Sequence, residues 1–307
     1  MPSSTPLFSI LILTYNNLQY LEGALESVYN QDYPNIEVIV SDDASKSFPD
    51  AVYKTMVDKR PSTIKSMKLI RHPVNLGMVR NLNNAIKESS GDYFMPLAVD
   101  DLLYDGSVLS KIVTYFKAND EISIASGYVE VFSEDMTKSI QVNPKPEDIE
   151  YLRAGGDKLF QRLCNKCFIS GAACPSRRSL LDKVGYYDER YRNAEDYPRF
   201  LSLSRMGIPI GFIDTKLIKY RLGGISTTSR PGPAICQDLV VMFGQDVLPY
   251  LHRFDRNKVY AYQRFFYYIS HLNLNEKKIF GYFINITLWY SFRLLNRLIW
   301  TLRPRIK

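Results

Sequence analysis

Two phosphate-binding patterns are missing from this sequence. No G-x-G-x-x-G follows the first apolar run, and no G-x-x-x-x-G-K-[ST] is present, which disfavours a dinucleotide-binding Rossmann site and a P-loop. Any nucleotide must then be held by side chains and a metal ion. Histidine is scarce, and His72, His252 and His271 are too scattered to suggest a site. Cysteine is scarce too. Cys164 and Cys167 form a C-x-x-C with Cys174 close behind, but no second C-x-x-C or histidine pair completes a zinc set, and free thiols in a reducing compartment are expected. The opening Met-Pro-Ser-Ser-Thr-Pro lacks the basic and apolar regions of a secretory signal.

What is present is a chain of 307 residues with 46% hydrophobic content, enough for one enzyme-sized domain and an appendage. The formal net charge of +7 is concentrated at the end. From Arg253 onward, Arg253, Arg256, Lys258, Arg264, Lys277, Lys278, Arg293, Arg297, Arg303, Arg305 and Lys307 oppose only Asp255 and Glu276.

Read in order, Leu7–Leu13 is a continuous apolar run of the kind that fills a strand buried on both faces. It stops at Thr14-Tyr15-Asn16-Asn17. Leu21, Ala24, Leu25 and Val28 then recur at helical spacing, and Ile36–Val40 forms a second strand running into Ser41-Asp42-Asp43-Ala44-Ser45. Strand, helix and strand make a βαβ unit. A third strand, Met67–Arg71, leads through Gly77, suited to a turn of positive φ, to a helix bearing Arg80 and closed by Gly91. The stretch Gly91–Leu103 is another apolar strand, ending abruptly on Asp100-Asp101.

In an open α/β sheet, ligands bind at the carboxyl ends of the strands. There Tyr15 could stack on a flat ring while Thr14 and Asn16 bond its edge, and Asp42 could accept from a ribose hydroxyl or base N–H. Arg80 could reach back toward the crevice. Asp100 and Asp101 would repel one another unless a positive group lay beside them, and a divalent ion carrying a diphosphate fits that need. Each residue also has a plainer reading: an Asn-rich turn, a helix cap, a solvated acid, a surface arginine.

Further on, a helix over Val108–Phe116 precedes a strand over Ile122–Val131, and Asn143–Asp148 reads as a loop over the site. A helix over Asp157–Asn165 and a small-residue stretch from Ile169 follow. Then comes Asn193-Ala194-Glu195-Asp196-Tyr197-Pro198-Arg199-Phe200, with two adjacent acids at a helix start.

Together the blocks Ser-Ile-Leu-Ile-Leu-Thr-Tyr-Asn, Val-Ser-Asp-Asp-Ala-Ser, Asn-Leu-Gly-Met-Val-Arg-Asn and Ala-Val-Asp-Asp resemble glycosyltransferase family 2, the inverting transferases of the GT-A fold. The resemblance covers roughly Pro6 to Arg230, and it implies that the small residues from Ile169 lie on a strand under the acceptor site. It implies an α/β catalytic domain over 1–230, with a nucleotide half to about 105 and an acceptor half after it. It further implies that Thr14, Tyr15, Asn16 and Asp42 hold the nucleoside with Arg80 nearby, and that Asp100 sits near the ribose or metal. Asp101 would be the main ligand of Mn²⁺ or Mg²⁺, Asp196 the base with Glu195 orienting it or the acceptor, and Arg221 a cation for the diphosphate on a closing loop. The chain departs from the family pattern at Leu13, often proline, at Ala98, often the first acid of Asp-x-Asp-Asp, and at Gly223-Gly224, where the family often has a histidine.

Residues 231–307 read as a helical, basic, aromatic extension. The uncharged run between Lys278 and Arg293 is short for a membrane span. Its mixture of rings, leucines and arginines, with Trp289 and Trp300, suits a helix in the membrane interface; the alternative is a helical pair packed on the catalytic domain or on a second copy. No nucleic-acid motif accompanies the charge. The expectation is a cytoplasmic enzyme, peripheral on the inner face of the cell membrane. It would move a sugar from a nucleotide-diphosphate sugar, a UDP-sugar by preference, to a polyprenyl-diphosphate-linked glycan of a surface polysaccharide. A catalytically silent sugar-nucleotide-binding protein and a nucleotidyltransferase are the alternatives.

Overall fold

Strand β1, Phe8–Thr14, is buried at every position, which is why its sequence runs apolar without alternation. The computed structural model describes residues 5–223, 232–252 and 256–272. Among these, nine strands form one sheet in the order β3-β2-β1-β4-β8-β6-β9-β5, with β7 paired to β6. The first half is parallel and doubly wound. It comprises β1, α1 (Leu21–Tyr29), β2 (Ile36–Asp42), α2 (Asp50–Lys59), β3 (Ile64–Arg71), α3 (Met78–Glu88) and β4 (Tyr93–Ala98).

After β4 the topology changes. The short β5 (Leu102–Leu103), α4 (Val108–Ala118) and β6 (Ile124–Phe132) lead to β7 (Ser139–Asn143), then α5 (Pro146–Ala154), α6 (Gly156–Asn165), β8 (Ser176–Arg177), α7 (Leu180–Val184), α8 (Asp196–Arg205) and β9 (Ile210–Arg221). Strand β8 joins the halves by pairing antiparallel with Tyr93 and Phe94 of β4 and with Ile124 of β6. Beyond Phe94, β4 has no pairing on that side, so Pro96 is tolerated in mid-strand despite its missing N–H. A gap opens there between the halves.

The two faces of the sheet carry two cores. Ile10, Ile12, Val38 and Val40 pack beneath α1 and α4, while Leu11, Leu13 and Ile39 pack with α3, α6 and α8. This is the period-two alternation of strand side chains. Helices α9 (Pro233–Met242) and α10 (Arg256–Ser270) join the second core through Cys236, Val240, Ala261 and Tyr268, and Tyr268 stacks on Phe243 at 5.9 Å between ring centroids. Among the described residues no helix is long and apolar enough to cross a membrane. The stretch with Trp289 and Trp300, on which the membrane-interface reading rests, lies outside the described residues.

Three local expectations change. Gly91 does not close α3, which ends at Glu88; its bare Cα admits β1, since a Cβ there would lie 2.4 Å from Ser9 Oγ and 2.8 Å from the Leu7 carbonyl oxygen. The Asn143–Asp148 loop is instead the end of β7 and the start of α5. The small-residue stretch after Ile169 forms a 3₁₀ turn, Gly171–Ala173, before the two-residue β8. Gly77 does take a positive φ, +87°.

Candidate active site

The parallel register sets Thr14 beside Asp42 and Leu13 beside Ala98, so the carboxyl ends of β1, β2 and β4 meet. Thr14 is buried, and its Oγ1 finds no hydrogen-bond partner among the described residues. Tyr15 is 48% exposed, free to face a ligand. Asn16 takes a left-handed φ of 59° and ties the β1 loop to the β2 loop: its N–H donates to Ser45 Oγ at 2.8 Å, and its Oδ1 accepts from Lys46 N at 3.1 Å. The buried Asp42 carboxylate accepts from Ser45 Oγ at 2.5 Å and Ser45 N at 3.1 Å. Neither Asp43 nor Ser45 caps the next helix, which begins at Asp50. Asp43 instead accepts the N–H groups of Leu76 and Gly77 at 2.7 and 2.9 Å, fastening the loop into α3. Arg80, on α3, is about half exposed and ion-paired to Glu189 at 3.2 Å.

A cavity of about 340 Å³ occupies the gap between the halves. It brings together Asp101, Glu195 and Asp196, with Ser170, Gly171, Gln141 and Asn143. Thr14, Tyr15, Asn16, Asp42, Arg80, Asp100 and Arg221 are not part of its lining. Asp101 is 1% exposed. Its Oδ1 accepts the Arg221 N–H at 2.9 Å, and its Oδ2 is buried without a hydrogen-bond partner among the described residues. Burial, reinforced by the neighbouring Asp100 charge, pushes the Asp101 carboxyl well above the usual range, and burial raises Asp100 too. A cation against Asp101 Oδ2 would relieve that cost.

The Arg221 side chain points to the acid loop. Its Nε donates to the Asp100 carbonyl at 3.0 Å, a terminal nitrogen donates to the Glu134 carbonyl, and the guanidinium lies 4.3 Å from the centre of the Tyr20 ring. The loop after Gly223 lies outside the described residues.

Asp196 opens α8. Its Oδ1 accepts its neighbour's N–H, Tyr197 N, at 2.6 Å, and its Oδ2 accepts Gly171 N at 3.2 Å. Burial raises its pKa, while these two backbone donors pull the other way. Among the described residues Glu195 has no such donors from another residue; burial and then the Asp196 charge push it up to about 8. The two titrate as a pair, and the two backbone donors favour the charged form at Asp196 rather than at Glu195. The loop before them is held from a distance: buried Asp238 of α9 accepts the N–H groups of Arg192, Asn193 and Ala194 at 3.0, 2.6 and 3.0 Å.

Sequence reasoning missed Gly171, Asp238, Gln141 and Asn143. The alternation Ser139-x-Gln141-x-Asn143 was the available signal for the last two. The C-x-x-C does not form a metal site: Cys164 lies in the core, Cys167 Sγ donates to the Ile169 carbonyl, and among the described residues no three His, Cys, Asp or Glu side chains gather as a ready metal cage.

A parallel α/β half continued by a mixed sheet, with Asp101 just after β4 and the pair Glu195 and Asp196 bordering one cleft, has the GT-A fold. The model of Glycosyl transferase family 2 matches residues 9–185, and the chain belongs to that family. An uncharacterized glycosyltransferase of Haemophilus influenzae is 29% identical over 231 residues, covering 73% of this chain and 68% of that one. The GalNAc(5)-diNAcBac-PP-undecaprenol beta-1,3-glucosyltransferase of Campylobacter jejuni is 33% identical over 195 residues, covering 61% and 57%. Among solved structures, S. aureus TarS 1-349 in complex with UDP-GlcNAc aligns with a TM-score of 0.59 at 18% identity, covering 88% of this chain and 77% of that one. The mannosyltransferase PcManGT from Pyrobaculum calidifontis, in complex with GDP-Man and Mn2+, aligns with a TM-score of 0.56 at 17% identity, covering 96% and 84%.

Proposed function

We propose that this protein is an inverting glycosyltransferase that moves a sugar from a nucleotide diphosphate, UDP by preference, to a hydroxyl of a lipid-linked glycan. The observation that carries the reading is the shared cleft, with the Asp101 oxygen that has no partner among the described residues and the twice hydrogen-bonded Asp196 in its lining. Inversion needs one displacement: the acceptor oxygen bonds to the anomeric carbon as the bond to the diphosphate oxygen breaks, the bonding pair leaves with the diphosphate, and a base takes the hydroxyl proton. Asp196 is the base. Its two backbone donors favour its ionised form and aim it, while Glu195 beside it, when protonated, can donate a hydrogen bond that orients the acceptor.

Thr14, Tyr15, Asn16 and Asp42 form the nucleoside site, with Arg80 at its edge. The donor set around Asp101 suits a hard divalent ion, Mn²⁺ or Mg²⁺, held by a carboxylate and the substrate's own phosphates. Such an ion, when bound, neutralises charge on the diphosphate. Asp101 would hold it, Asp100 lies adjacent, and Arg221 fixes both acids from behind. The lipid-linked acceptor is supported by the Campylobacter relative, whose name carries an undecaprenol-linked glycan. A role for the basic C-terminal segment at the membrane surface belongs to the same proposal.

The test is release of free nucleotide from a panel of nucleotide sugars, with and without Mn²⁺, in wild type, Asp101→Ala and Asp196→Asn. Metal-dependent release from one donor, lost in Asp101→Ala and reduced about 10³-fold in Asp196→Asn, is expected. Donor binding without turnover, even with lipid-linked glycan added, would make the chain a silent binding protein. No nucleotide binding would end the reading.

A further inference from the structure

The cleft that holds the acids has an aliphatic lining on its sheet side. Leu13 of β1, Pro96 and Ala98 of β4, Val129 and Val131 of β6, and Leu222 just beyond β9 line it. The strand pairs are spaced by two residues, so each pair faces the same side of the sheet. None of these side chains can accept or donate a hydrogen bond. The polar side chains of the lining stand beside this patch: Gln141 and Asn143 on β7, opposite Val131 and Val129 in the strand register, Tyr220 on β9, Ser170 in the turn, and the acids.

Resting on the transferase reading, the transferred sugar has a defined place. Its anomeric carbon lies between the diphosphate, at Asp101, and the acceptor oxygen, at Asp196, because inversion puts leaving group and nucleophile on opposite sides of that carbon. Both acids border this one cavity, so the ring lies over the aliphatic surface. A hydroxyl pressed onto the aliphatic patch itself would lose its water and gain no partner there, whereas Gln141 and Asn143 beside the patch can bond the other hydroxyls of the ring.

We propose that the donor sugar carries a methyl-bearing substituent in place of one hydroxyl, an acetamido or a 6-deoxy group, seated on the surface formed by Leu13, Pro96, Ala98, Val129, Val131 and Leu222. A methyl group there gains apolar burial, and a pocket of this kind discriminates between such neighbours by about 10- to 100-fold. Ala98 is the position to probe, since serine in its place adds a hydroxyl to the surface with little change of volume.

The experiment measures donor dissociation constants and nucleotide release for matched pairs: UDP-glucose against UDP-N-acetylglucosamine, GDP-mannose against GDP-6-deoxymannose, and dTDP-glucose against dTDP-6-deoxyglucose. Wild type is compared with Ala98→Ser, and a thermal melt checks that the variant is folded. The expected result is a preference of about 10- to 100-fold for the methyl-bearing member of one pair, shrinking severalfold in Ala98→Ser. The first pair reports an acetamido group and the other two a 6-deoxy carbon. Equal use of both members, or preference for the hydroxylated one, overturns the proposal while leaving the transferase reading intact; in the equal case the surface reads only the apolar ring face. If no donor binds or turns over, both fall together.

Discussion

Gly171 donates its backbone N–H to Asp196 Oδ2 at 3.2 Å, and its Cα approaches so closely that a Cβ built there would stand 2.8 Å from the Cβ of Asp196 and 3.3 Å from Glu195 Oε1. The 3₁₀ turn thus aims the acid pair by both a hydrogen bond and a lack of bulk. Gly171→Ala is expected to push Asp196 aside by a fraction of an ångström and lower kcat about 10²-fold, with donor KM changed less than about threefold. The turn has no positive φ at this residue, so the fold should survive. Steady-state kinetics with varied donor provides the check, and an unchanged kcat would remove Asp196 from the role of base.

The acid pair also sets the response to pH. A base must be ionised to act, and burial raises the pKa of Asp196. The acid limb of kcat/KM should therefore lie higher than a solvent-exposed aspartate would give. Stability runs the opposite way. Glu195 rises from an ordinary 4.5 to about 8 on folding, so its contribution is fully present below about 4.5 and is lost as pH rises through 8. Wild type should lose on the order of a few kcal/mol across that window, and Glu195→Gln should flatten the loss. Urea midpoints from pH 5 to 9 decide this, and parallel curves for the two proteins would show that Glu195 is not the group that holds the proton.

What the sequence made legible depended on range. The parallel half was readable because β1 and β2 are buried at every position and are rich in apolar residues, and because Asp100-Asp101 stand where an apolar run ends; Glu195-Asp196 stand at a helix start. Gly91 was misread because its reason lies in Ser9 and Leu7, more than eighty positions away. Strand β7 was missed because its Ile140 and Val142 are exposed, which removes the usual contrast between the two faces. The bracing of Arg221 against Tyr20 and the acid loop spans longer separations still and leaves no local mark.

That bracing separates two roles for Arg221. A guanidinium that touched the diphosphate would act in the transition state, and its loss would lower kcat. A guanidinium that holds the Asp100 carbonyl and stacks on Tyr20 acts through the acids, and its loss should weaken the metal. Arg221→Ala keeps the backbone N–H to Asp101 Oδ1, so the expected effect is a 10- to 100-fold rise in the Mn²⁺ concentration needed for half-maximal rate, with kcat at saturating metal falling less than about fivefold. Metal titration of the rate separates the cases; a large kcat loss at saturating metal would place Arg221 on the diphosphate.

Asp238 carries the last expectation, and it concerns why the chain does not end its catalytic unit at β9. Its carboxylate, on α9, gathers three consecutive backbone donors from Arg192 to Ala194, immediately before Glu195. Arg192 in turn gives its carbonyl to Val79 N and leans against Gly77, and Asp43 grips Gly77 from β2. The acid pair is therefore tied to the nucleotide half through one loop and to the C-terminal helices through one carboxylate. Asp238→Ala leaves buried N–H groups without partners, a cost of about 1–3 kcal/mol for each one that stays unpaired. It should lower the unfolding midpoint and, in the folded fraction, reduce kcat at least tenfold with donor affinity unchanged, because none of the residues proposed for the nucleoside bonds to Asp238 or to the N–H groups it holds. Asp238→Asn, which keeps one acceptor oxygen, should recover part of both. A variant with normal kcat and only lowered stability would confine α9 to a structural role, and one with weakened donor binding would show that the loop also reaches the nucleotide.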